Sequence, residues 1–75
     1  MIRSDILKAK SRELGQNIRR IRMRRDMTQE KLAEGAGITL NYLGIIEIGT
    51  KMPSMKVLIQ IAEILGVKTK DLIPY

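Results

Sequence analysis

The sequence contains no cysteine, no histidine, no phenylalanine and no tryptophan among its 75 residues. Without cysteine there is no disulfide and no thiolate-bound metal. Without histidine, the usual general base near neutral pH and the commonest metal ligand are both missing. Rings are limited to Tyr42 and Tyr75, so a core must be built from aliphatic side chains. No apolar run approaches the roughly 20 residues of a membrane span. The opening MIRSDILKAK also lacks the apolar stretch of a signal peptide. These absences lead to the expectation of a cytoplasmic protein with no metal and no cofactor. Catalysis is poorly served too. Ser4, Ser11 and Ser54 fall near expected helix starts with no base beside them, and Glu30 and Glu34, four apart, read as a solvated face. The reading is of a non-enzyme.

What is present is enough for one small domain. Hydrophobic residues make up 44% and charged residues 29%, ordinary values for a folded, soluble chain. The net charge of +6 is unevenly placed. Residues 1–26 hold nine basic side chains (Arg3, Lys8, Lys10, Arg12, Arg19, Arg20, Arg22, Arg24, Arg25) against Asp5, Glu13 and Asp26. Residues 27–75 balance five lysines with five acids, so the excess lies in the first third. Residues 19–25 alone hold five arginines and no lysine, and the planar guanidinium suits phosphate. A basic surface kept for solubility is one reading of this asymmetry; an anionic partner is the other.

The apolar spacing predicts an all-α chain of five helical stretches. The first runs from about Arg12 to Arg25 on Leu14, Ile18 and Ile21; Ile2, Ile6 and Leu7 allow a start as early as Ser4, which Gly15 weakens. Asp26 reads as a left-handed stop. Thr28 caps a second, short helix from Gln29 to about Gly35, with Leu32 and Ala33 inside and Gly37 at its end. Thr39 caps a third that runs to about Glu47, with Gly49 as its stop. Pro53-Ser54 opens a fourth, with Val57, Leu58, Ile61, Ala62 and Leu65 inward and Gly66 at its close. Thr69 caps a last turn holding Leu72 and Ile73.

The stretch TQEKLAEGAGITLNYLGIIE carries the specific signal. Two short helices around a tight glycine turn cross at a steep angle and leave the second as a projecting rod that fits the DNA major groove. With LGQNIRRIR before it and IEIGTKMPS, LGV and DLI after it, the chain resembles the lambda-repressor-like, Cro/C1-type (XRE) helix-turn-helix family over residues 14–73. Residues 1–13 then read as an N-terminal extension able to form helix. The short form, with Tyr-Leu-Gly before the Ile-Glu pair, also resembles the controller proteins of restriction-modification systems. The resemblance implies a five-helix bundle and a sequence-specific transcriptional regulator whose third helix enters the major groove of double-stranded DNA. It implies base-facing Thr39, Leu40, Asn41, Gly44 and Ile45, and phosphate contacts from Thr28, Gln29, Tyr42, Lys51, Arg20 and Arg24. Gln29 would also brace the reading helix, and Arg22 with Glu47 would form a partly buried ion pair. A homodimer on an inverted repeat is the arrangement expected, joined through the last turn and the tail Leu72–Tyr75, with the N-terminal extension as a further contributor.

Two features depart from the family pattern. The reading helix has no charged residue from Ile38 to Ile46, and Ile48 stands where the family commonly has Asn or Arg. Gly44 weakens the helix by about 1 kcal/mol relative to Ala. An apolar Ile45/Ile48 face also fits a protein-interaction or dimerisation module on the same scaffold, and that is the alternative function.

Overall fold

The computed structural model describes residues 4–75. Ile2 and Arg3, and with them the first part of the N-terminal extension, lie outside the described residues. The elements are α1 (Ser4–Arg24), α2 (Gln29–Ala36), α3 (Leu40–Ile48), α4 (Met55–Leu65) and a 3-10 turn (Thr69–Asp71). The expectation of five helices is therefore corrected to four α-helices and one short turn. The reason is local. Pro74 lacks an amide hydrogen and restricts Ile73 before it, so an α-helix has no room to grow after Gly66. The turn is also capped differently from expectation: Asp71 Oδ2 accepts from the Lys68 amide at 2.9 Å, and Thr69 is its first residue.

Hydroxyls begin the three later helices. The Thr28, Thr39 and Ser54 side chains accept from the amides of Lys31, Tyr42 and Val57 at 3.1, 3.0 and 3.2 Å. Each relieves one orphan donor of a first turn. Asp26 ends the turn after α1 with φ of 52°, a left-handed conformation that Asp tolerates. The core is aliphatic: Leu14 and Ile18 from α1, Leu32 from α2, Leu43 and Ile46 from α3, Leu58, Ile61 and Leu65 from α4, and Leu72 beyond the turn. Leu72 is also held by its carbonyl, which accepts from Asn17 Nδ2 at 2.9 Å.

Helix α1 is longer than the Arg12 start expected from spacing alone. Gly15, which weakens an isolated helix, is needed here. A Cβ at this position would lie 2.5 Å from the Glu47 carbonyl oxygen and nearer still to that of Ile46. The C-terminal end of α3 thus crosses α1 directly over a residue with no side chain. At the next step Gly49 ends α3 with φ of 93°, and a Cβ there would meet Arg12 Cα at 2.7 Å. Ser11, expected near a helix start, sits inside α1, buried, with no partner for its Oγ among the protein groups. These contacts fix the angle at which α3 is offered to its surroundings.

A candidate nucleic-acid interface around helix α3

Helix α3 is held from behind by a polar bracket. Arg22 Nε and Nη2 donate to Glu47 Oε2 and Oε1 at 2.7 and 3.1 Å, a forked pairing that suits guanidinium and carboxylate. Arg22 Nη1 donates to the Met27 carbonyl at 2.8 Å, and Gln29 Nε2 donates to Glu47 Oε1 at 2.9 Å. Glu47's side chain is 3% exposed and Arg22's 12%, so both charges have left water and need these partners. The bracket joins α1, the α1–α2 turn, the start of α2 and the end of α3.

On the other side α3 is open. Thr39, Leu40, Asn41 and Ile48 are exposed, and Gly44 and Ile45 are half-buried. With Leu43, Ile46 and Glu47 turned inward, the helical repeat places Asn41, Gly44, Ile45 and Ile48 on the outward face. Ile48 is 73% exposed, a large apolar side chain on a face with no charge. Beside it a groove of about 600 Å³ is lined by Arg19, Arg22, Thr28, Gln29, Glu30, Gly44, Glu47 and Ile48. The start of α2 therefore opens onto the flank of α3. The outward amides of that first turn and the guanidinium of Arg19 are both suited to an anion.

A family model described as helix-turn-helix matches residues 18–72, most of the chain. The chain belongs to the Cro/C1-type helix-turn-helix family. It is 35% identical over 60 residues to the HTH-type transcriptional regulator YazB of Bacillus subtilis, covering 80% of this chain and 87% of that one. It is 39% identical over 62 residues to the control protein C.BamHI of Bacillus amyloliquefaciens, covering 81% and 76%. Among solved structures, the restriction-modification controller protein C.AhdI of Aeromonas hydrophila superposes with a TM-score of 0.84 at 28% identity, over 87% of this chain and 98% of that one. The clp gene regulator ClgR of Corynebacterium glutamicum gives 0.80 at 29%, over 83% and 66%.

Within this helix-turn-helix domain the expected phosphate residues are scattered. Thr28 and Gln29 lie on the groove, but Gln29 gives one amide hydrogen to Glu47. Lys51 is exposed in the loop after α3, and Tyr42 is half-buried against the core. Arg20 and Arg24 are not brought to α3. Arg20 Nη2 donates to Asn17 Oδ1 at 2.7 Å, on the side of α1 that meets Leu72, and Arg24 lies by Ile21 and Val67. One residue of helix is 100°, so besides Arg22, which is committed to Glu47, the arginine of this run that stands beside α3 is Arg19. The sequence reading missed it, and with it Lys8 and Arg12, which lie near Ile48. A helical projection carried the signal: Lys8, Arg12 and Arg19 share one stripe with Gly15.

Proposed function

We propose that this protein is a sequence-specific transcriptional regulator that lays α3 in the major groove of double-stranded DNA. The observation that carries the reading is the outward face of α3: open along its length, braced from behind by Arg22, Gln29 and Glu47, and flanked by the start of α2 and Arg19. Asn41 pairs bidentately with an adenine edge, and Leu40 and Ile45 touch thymine methyls. Thr39 sits at the leading end, and Gly44 lets the backbone approach the base pairs. Thr28, Gln29, Arg19 and Lys51 hold phosphates and set the register without carrying sequence information. Tyr42 reaches a phosphate with its hydroxyl. Arg20 and Arg24, turned away from α3, add to the long-range attraction.

The domain works as a homodimer on an inverted repeat, since a single head of this size covers little DNA. The exposed Met52, Met55, Ile59 and Tyr75 support a protein contact near the C-terminal tail, where Tyr75 Oη lies 3.4 Å from Met52 Sδ. A regulator of this kind acts in the cytoplasm. The chemistry is binding, with no catalytic step.

Selection of bound duplexes from a random pool tests the reading. Enriched half-sites containing A·T pairs are expected, and a pool returning only G·C-rich half-sites would reject the roles of Asn41 and Ile45. A second reading rests on Ile48: its exposure suits a protein partner seated on the Ile45/Ile48 face. The two separate by salt. DNA affinity falls steeply as salt rises, through counterion release, whereas an apolar interface holds.

A further inference from the structure

Where α3 ends, α1 carries a second basic group that no part of the interface above uses. Lys8 and Arg12 line a recess of about 260 Å³ with Ile48, Gly49 and Thr50. Neither forms an ion pair among the described residues, although Lys10 and Glu13 nearby do so at 3.7 Å. The recess continues past Lys8 into a smaller one of about 170 Å³, whose wall includes the buried Ser11 with its unpartnered Oγ. Arg12 and Arg19 are seven residues apart on one stripe of α1, about 10 Å along the axis. Between them lies Gly15, over which α3 crosses. Ile48, at the end of the outward face, thus has Arg19 on one side and Lys8 with Arg12 on the other. That spacing is close to the width of the major groove, about 12 Å.

We propose that Lys8 and Arg12, brought beside the end of α3 by the long first helix, form a second phosphate clamp that takes the DNA backbone on the opposite side of the reading helix from Arg19. This rests on the DNA-binding reading and extends it. The charge that α3 lacks is supplied from α1 on both flanks, and residues 4–13 become part of the interface. The long side chains reach past Ile48 to the backbone while Ile48 itself faces the groove. Arg12 has the better geometry for a phosphate, and Lys8 acts as a mobile point charge.

The test uses the full chain and a labelled 30-bp mixed-sequence duplex, with anisotropy titrations at about 50 to 200 mM KCl. Two phosphate contacts contribute roughly 1.8 to the slope of log affinity against log salt. Lys8→Gln with Arg12→Gln is therefore expected to lose about that much slope and roughly tenfold in affinity at the low-salt end. Arg25→Gln with Lys68→Gln removes the same net charge elsewhere and is expected to stay near the wild-type slope. Arg12→Lys, which keeps the charge, is expected to retain its slope as well. A Lys8/Arg12 variant that parallels the wild type, or loses no more than the Arg25/Lys68 variant, overturns the clamp. If Arg19→Gln loses slope while the Lys8/Arg12 variant does not, the clamp falls and DNA binding stands. A wild type that ignores the duplex removes both.

Discussion

The two sides of helix α3 follow opposite rules. Its inner side carries a carboxylate taken out of water that accepts three hydrogen bonds from Arg22 and Gln29, while Arg22 gives a fourth to the Met27 carbonyl. Its outer side carries no charge and exposes Leu40 and Ile48, with Ile45 half-buried between them. A surface helix of a globular protein ordinarily keeps its charge outward; α3 turns apolar Leu43 and Ile46 inward as usual but places its one charge there too. The difference separates two tasks. Apolar packing tolerates small slides, whereas a forked ion pair with a shared amide donor fixes direction as well as distance. The inner side sets where α3 points; the outer side is left to meet something else.

Breaking the inner side has the largest expected effect. Glu47→Ala leaves the Arg22 guanidinium buried without its partner, at a cost of about 3 kcal/mol or more. For a domain of this size that is a fall in melting temperature of more than about 10 °C, measured by circular dichroism. An unchanged value would mean that the bracket adds nothing to holding α3. Next in size is Gly15→Ala. The new methyl would drive into two carbonyl oxygens of α3's last turn, and backbone does not yield as a flexible side chain does. Better helix propensity returns up to about 1 kcal/mol. Overpacking of about 1–3 kcal/mol outweighs it. The expected result is net destabilisation, and a variant that melts higher than the wild type would show that α3 can lift off α1 freely.

Gln29→Ala is smaller and tests the hinge between the two sides. It removes one hydrogen bond to a charged acceptor, worth about 1.5 kcal/mol, yet leaves the Arg22–Glu47 fork in place. A melting point lowered by roughly half the Glu47→Ala effect is expected. In DNA titrations it separates bracing from phosphate contact: a lowered melting point with affinity kept assigns Gln29 to bracing alone.

How much of this was legible in the residues follows from the range of each signal. Helix starts were written locally: Thr28, Thr39 and Ser54 act within three residues of themselves, and the caps form where those hydroxyls stand. The last segment reads as a fifth helical stretch holding Leu72 and Ile73, but Pro74 limits it to a turn. Spacing starts α1 near Arg12 because Gly15 lowers helix propensity. Its reason is a contact thirty-odd residues away in sequence, with Ile46 and Glu47, which no local pattern displays. The same holds for the interface. Which arginine of the 19–25 run joins the ion-paired Arg22 beside α3 depends on the rotation of α1 about its axis, and packing over Gly15 fixes that rotation. The resemblance implies phosphate contacts from Arg20 and Arg24, but it is Arg19 that lines the groove beside α3.

The smallest expected effect sharpens the comparison most, because it has the opposite sign. Gly44 is a helix-interior glycine with nothing within 4 Å of where its Cβ would stand. Packing therefore gives no reason for it, in contrast to Gly15 on the facing helix. Gly44→Ala is expected to stabilise the domain by up to about 1 kcal/mol, raising the melting temperature by several degrees. If α3 lies in the major groove, the added methyl occupies space that the duplex backbone or base edges would use. Affinity for DNA is then expected to fall while stability rises. A variant that gains stability and keeps its affinity would show that Gly44 stands clear of the duplex, and would turn the contact toward Asn41 and the leading end of the helix.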